Sequence, residues 1–244
     1  MWSFVLGHSL ITMLLCGVVT AAAWYLLERR RLNISVFEAI IIALLCSVWG
    51  VFWLKMFSVF EAKTASLVNN HEYVPGNMSL FGAVFMDPLF TYVVAWVKKV
   101  DPRKAHDIFC IGYMLPILFG RMNCFFAGCC VSGTYDYPLF GTVTWPIREI
   151  EMAYYLGFIA FFAPKIIKNK TDGEVYPLFM ITYGALRFVL EWARDLFYPV
   201  GPFHISHIWA LISFAIGLLL YKRALSTSAR TAIGGVEKSG GTTR

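Results

Sequence analysis

The chain has 244 residues, of which 58% are hydrophobic and 15% charged, with a mean hydropathy of +0.63. Soluble globular domains carry about 25% charged residues, so the composition excludes that class, and the length holds one membrane domain without a second globular unit. The net charge of +6 is no nucleic-acid signature, because the basic residues sit in short segments between apolar runs and form no single basic face.

A helix that crosses a bilayer needs about 20 mainly apolar residues. Runs at roughly 4–27, 37–57, 79–97, 108–128, 150–167, 175–192 and 205–221 meet that need and predict an all-α, polytopic membrane protein with about seven spans. The first run has no Lys or Arg before it and is followed by Arg29, Arg30 and Arg31. That order reads as an uncleaved span with the N-terminus outside, not as a signal peptide, and Ala21 to Ala23 read as small packing residues. The inner segments then hold Lys98, Lys99, Arg103 and Lys104, then Lys165, Lys168 and Lys170, then Lys222 and Arg223. The outer ones hold only Lys63, Arg148 and Arg194, and an odd number of spans leaves the C-terminus cytoplasmic. Residues 1–223 are expected to form the transmembrane domain, and 224–244, rich in Ser, Thr and Gly, a flexible cytoplasmic tail. Two outer connections, 58–78 and 129–149, are long enough to carry function. No internal repeat is visible, which weakens a transporter of inverted halves.

Ionisable residues inside apolar runs cost several kcal/mol each unless they find a partner or a polar cavity. Four places stand out. Gly120-Arg121-Met122-Asn123-Cys124 lies in the fourth run, with Arg121 about 20 Å from its start at 1.5 Å per residue. Tyr183, Arg187, Glu191 and Arg194 recur along one face of the sixth run. Arg148, Glu149 and Glu151 open the fifth run after Pro146, and Asp87 precedes Pro88 in the third, where the proline frees a backbone carbonyl. The first three places fall at one depth, near the outer interface. Arg121 and Arg187 facing a shared cavity would form a phosphate site, since guanidinium donors match phosphate oxygens, and in the outer leaflet that phosphate belongs to a phospholipid headgroup. Glu151 and Glu191 could position those arginines or act as general bases. A bland reading stands beside this one: Arg187 and Glu191 as a structural ion pair, Arg148 and Arg194 as residues snorkelling to headgroups, and Asp87 as helix glue.

Cys16, Cys46 and Cys110 lie in apolar runs and read as small hydrophobes, while Cys124, Cys129 and Cys130 cluster at the end of the fourth run. Cys129 or Cys130 could be a nucleophile or acyl carrier activated by a nearby arginine, or the pair could fill a helix end or bond Cys124 at an oxidising face. His71, His204 and His207 lie near the outer side with no spacing that singles one out, and His8 and His106 read as incidental. No ligand spacing implies a metal or a cofactor.

At these residues the sequence resembles the prolipoprotein diacylglyceryl transferase family, over roughly residues 76–217. The family's Gly-Arg signature is matched by Gly120 and Arg121, with Phe125 and Gly128 following. Its Tyr-Gly-x-x-Arg-Phe-x-x-Glu-x-x-Arg is met in full by Tyr183, Gly184, Arg187, Phe188, Glu191 and Arg194, and its Pro followed by Glu by Pro146 and Glu151. Its Gly-Met-Ser-x-His-Gly-Gly segment looks like Gly76 to Ala83, with Phe81 where the family has histidine. Cys124, Ala127 and Cys129 replace two asparagines and a glutamate, so the phosphate-handling half is kept better than the acceptor-activating half. The resemblance implies transfer of a diacylglyceryl group from phosphatidylglycerol to a prolipoprotein cysteine thiol, at the outer face of the bacterial plasma membrane. With the residue reading above, it gives Arg121, Arg187, Glu151, Glu191 and Cys129 as catalytic candidates. Tyr183, Arg194, Arg148, Cys124, Gly120 and Cys130 are the substrate-binding ones. Transfer to a non-lipoprotein acceptor, anion transport, and thiol–disulfide exchange are the alternatives, the last lacking a CxxC.

Overall fold

The computed structural model describes residues 34–75, 78–127, 134–137, 141–194 and 198–239. Six helices account for most of them: α1 (Val36–Asn69), α2 (Phe81–Lys98), α3 (Pro102–Ala127), α4 (Ile147–Ile167), α5 (Val175–Glu191) and α6 (Ile205–Ser239). Five are long and apolar enough to cross a membrane, and α5, at 17 residues, spans about 26 Å at 1.5 Å per residue. The expected first span, 4–27, lies outside the described residues. Large apolar side chains along one side of α1, among them Phe37, Leu44, Val48 and Phe52, are exposed, as is Trp96 on α2, which is the outer surface a bilayer requires.

Two antiparallel hairpins, which the sequence reading did not anticipate, interrupt the helices. β1 (Thr134–Tyr137) pairs with β2 (Gly141–Thr144), and β3 (Pro199–Val200) with β4 (Phe203–His204). The second hairpin explains why α1 exceeds the expected span. Residues 58–69, read as a loop, continue the helix because Ala62 and Ala65 bury themselves against Tyr198 and Ile205. Asn70 then ends it in the left-handed region, with φ of 52°, and the Asn69 amide donates to the Pro199 carbonyl at 2.6 Å. The backbone stays helical as far as Ser239, since residues 224–239 contain no proline and add helix-forming Ala, Leu, Arg, Glu and Lys to a helix already nucleated.

Consecutive helices run in opposite directions, and side chains tie their ends together. Ser35 and Glu38 form a capping box at the start of α1, and Glu38 also pairs with Lys98 at the end of α2. At the same end of the bundle the buried Asp107 of α3 accepts from the backbone N–H groups of Gly173, at 2.8 Å, and Val175, at 3.0 Å. It thus serves as the N-cap that α5 lacks locally. Lys98, Lys99, Arg103, Lys104, Lys165, Lys168 and Lys170 gather around this end. The ends of α3 and α5 and the starts of α4 and α6 lie at the other.

Pro88 has no N–H to give the carbonyl of Val84, and the hydroxyl of Tyr176 on α5 donates to that carbonyl instead. The neighbouring carbonyls of α2 are served likewise, Met86 by Trp49 at 3.0 Å and Asp87 by Tyr113 at 3.1 Å, while His106 lies 3.1 Å from that of Pro88. His106 is therefore a structural fastener. Asp87 itself is buried in this region, and its Oδ1 has no hydrogen-bond partner among the described residues.

The α5–α6 crossing sets the site. A side chain at Gly184 would collide with the Ala210 carbonyl and the Phe214 backbone, and one at Gly217 with Met180 and Ile181. Without Cβ atoms there, the two helices approach closely and bring the start of α6 beside Arg187 and Glu191.

Candidate functional site

Arg187 and Glu191 occupy successive turns of α5, Arg121 the last turns of α3, and Glu151 the first turn and a half of α4. Glu151 is fully buried and joins the helices. Its Oε2 lies 2.5 Å from Arg121 Nε and its Oε1 accepts from Arg187 Nη1 at 3.0 Å. Arg187 Nη2 lies 2.8 Å from Glu191 Oε2, and Glu191 Oε1 lies 3.5 Å from Nδ1 of His204, at the end of β4. The chain of charge thus runs Arg121–Glu151–Arg187–Glu191–His204 across three helices and β4.

Two features leave this cluster short of negative charge and of acceptors. Arg194, just past α5, lies within electrostatic reach of Arg187, Arg121, Glu151 and Glu191. No carboxylate among the described residues comes within 4 Å of it. The buried Nε of Arg187 and the buried hydroxyls of Tyr155 and Tyr183 have no hydrogen-bond partner among the described residues. Such groups are rare unless something else bonds to them, because each forfeits a hydrogen bond on leaving water. Tyr183 stacks on Tyr155, with ring centroids 6.4 Å apart, and on Phe179 at 5.4 Å, so its ring cannot turn away. Beside it lies Phe81, centroids 5.9 Å apart. An apolar groove of about 370 Å³ runs between α4 and α5 and is lined by Tyr154, Gly157, Phe158, Phe161, Leu178 and Thr182.

The described family model for prolipoprotein diacylglyceryl transferase matches residues 7–223. The chain belongs to the prolipoprotein diacylglyceryl transferase family. A phosphatidylglycerol–prolipoprotein diacylglyceryl transferase from Dehalococcoides mccartyi is 23% identical over 196 residues, or 75% of each chain. A protein of the same name from Clostridioides difficile is 20% identical over 215 residues, covering 84% of this chain and 86% of its own. Another from Campylobacter lari is 28% identical over 161 residues, covering 59% and 56%.

Of the candidates read from the sequence of this family member, Arg121, Glu151, Tyr183, Arg187, Glu191 and Arg194 come together. Arg148 does not join them: its Nη1 donates to the Cys124 carbonyl at 3.2 Å, its guanidinium lies 5.4 Å from the Phe125 ring, and Glu149 lies 3.6 Å from its Nη2. It latches the start of α4 onto the end of α3, next to Cys124. Gly120 is exposed, with open space where a Cβ would sit. Cys129 and Cys130, and any bond from them to Cys124, lie outside the described residues. The site also recruits residues the sequence reading left aside. Tyr155 sits one turn after Glu151, a spacing that marked it in principle, whereas Glu61, which accepts from Ser79 Oγ at 2.7 Å, reaches Arg187 and Glu191 only through the unexpected extension of α1.

Proposed function

We propose that this chain transfers the diacylglyceryl group of phosphatidylglycerol to an acceptor thiol, the lipobox cysteine of a prolipoprotein, at the outer leaflet of the bacterial plasma membrane. The observation that carries the reading is the meeting of Arg121 and Arg187, from separate helices, on one buried glutamate, with Arg194 alongside. The relatives' names supply the donor and the acceptor class.

Chemically, the thiol sulfur attacks the glyceryl carbon that bears the phosphate, and glycerol phosphate departs with the C–O electron pair. Negative charge then grows on the phosphate. Guanidinium groups already aimed by Glu151 and Glu191 meet that charge without reorganising, in surroundings of low dielectric. Tyr155 and Tyr183 offer hydroxyl donors to the same phosphate, and the groove between α4 and α5 suits an acyl chain. Holding both substrates in one place supplies the orientation that two separate lipids in a bilayer lack.

The site lies at the opposite end of the bundle from the basic connections. Together with residues 4–27 as a seventh span, this supports an outward-facing site, an N-terminus outside, a membrane domain of residues 1–223 and a cytoplasmic C-terminal segment. Cys129 as a nucleophile or carrier and Cys130 as a substrate-binding residue remain part of the proposal. The test is incubation of the purified protein with labelled phosphatidylglycerol, with and without a lipobox-cysteine peptide. Glycerol phosphate released only with the peptide, in step with diacylglyceryl-peptide, is the expected result. Release without lipidated peptide, or none at all, contradicts the reading.

A further inference from the structure

Alkylating a thiol releases one proton, and neither Glu151 nor Glu191 is open to take it. Both oxygens of Glu151 face guanidinium groups, and those of Glu191 face Arg187 and His204. Phe81, beside Tyr183, cannot take it. The described imidazoles therefore need sorting. His71 is exposed and meets Tyr73 edge to face, with centroids 5.0 Å apart, and His106 lies against carbonyls at the opposite end of the bundle. His207 accepts from the His204 backbone N–H through Nδ1 at 3.1 Å, and its ring is boxed by Phe188, Trp192 and Phe203. His204 alone touches the cluster.

We infer that His204, oriented by Glu191, is the general base that deprotonates the acceptor thiol. The inference rests on the transfer reading above and names a residue for its missing proton step. Two backbone contacts hold the residue, and one approach, 3.5 Å long, sets the ring against Glu191. Its backbone belongs to the β3–β4 hairpin opposite Pro199, its N–H bonds His207, and its Nδ1 faces Glu191 Oε1. A carboxylate on Nδ1 selects the tautomer protonated there and leaves Nε2 as the basic nitrogen. The thiol proton passes to Nε2 as the sulfur forms its bond to the glyceryl carbon and the C–O bond breaks. The leaving electron pair stays on glycerol phosphate, and the imidazolium then returns its proton to water. The charged and titratable groups around the His204–Glu191 pair are Arg187 on α5, Arg194 beyond it, Glu61 on α1 and His207 on α6.

The experiment compares two acceptor peptides, one carrying the lipobox cysteine and one a selenocysteine, whose selenol is already ionised at neutral pH. His204→Gln is expected to lower turnover of the thiol peptide by roughly 10²–10⁴-fold near neutral pH, the usual weight of general-base catalysis, while leaving the selenol peptide within a few-fold. A merely structural role would slow both equally, and that result overturns the inference. Wild-type protein provides the second measurement, independent of whether the variant folds. Thiol turnover should fall on acidification while selenol turnover holds, and parallel profiles overturn the inference. Wild type that lipidates neither peptide sinks the transfer reading and this role with it, whereas active wild type with an unimpaired His204→Gln sinks the role alone.

Discussion

Glu151 is the residue whose removal the geometry makes most costly. In Glu151→Ala, Arg121 and Arg187 keep their buried positions but face each other with no anion between them. Breaking a buried pair by deleting one partner costs about 3–5 kcal/mol, because the charge left behind is uncompensated. At about 2–4 °C per kcal/mol for a chain of this size, the melting temperature of the detergent-solubilised protein should fall by about 6–20 °C. Arg121→Ala should cost less, since Glu151 keeps Arg187. The decisive variant is the double one. Adding Arg121→Ala to Glu151→Ala removes the cation that the single variant strips of its carboxylate, while Arg187 retains Glu191. The double variant should therefore be more stable than Glu151→Ala alone, with an interaction energy of about 0.5–3 kcal/mol. Thermal melts of the four proteins in one detergent decide this. Simple addition of the two single losses would show that the three side chains do not form one electrostatic unit.

The buried hydroxyl of Tyr183 has no partner among the described residues, so Tyr183→Phe should leave the melting temperature within about 2 °C while lowering glycerol phosphate release, whereas a hydroxyl used only for folding would give the reverse. Tyr176→Phe should do the opposite. It strips the Val84 carbonyl of the donor that replaces the missing Pro88 N–H, costing about 1–3 kcal/mol in a melt without a change in turnover per folded molecule, and unaltered stability would refute that role.

What was legible in the sequence divides along physical lines. Apolar runs of bilayer length and arginines placed where charge is expensive report on local composition alone, and the described helices and the Arg121–Arg187 meeting follow from them. The spacing of Arg187 and Glu191 likewise needs only helical periodicity. Glu151 as a bridge needed tertiary structure, because its two partners come from helices before and after it in the chain. The extension of α1 was hidden because Glu61 to Asn69 is polar on average, and only the burial of Ala62 and Ala65 against a later hairpin stabilises it as helix. Nor does the local pattern distinguish an arginine that turns into a cavity from one, such as Arg148, whose guanidinium donates to a neighbouring carbonyl. The Ser, Thr and Gly content of the tail says nothing about the helix that runs into it as far as Ser239.

The most direct test of the central claim, that guanidinium groups from separate helices hold the departing phosphate, is the rate of peptide-dependent glycerol phosphate release by Arg187→Ala and Arg121→Ala, each first shown to insert and fold. The account predicts a loss of at least roughly 10²-fold in each, the scale of removing one donor to a developing negative charge. Release within a few-fold of wild type by either folded variant would contradict it.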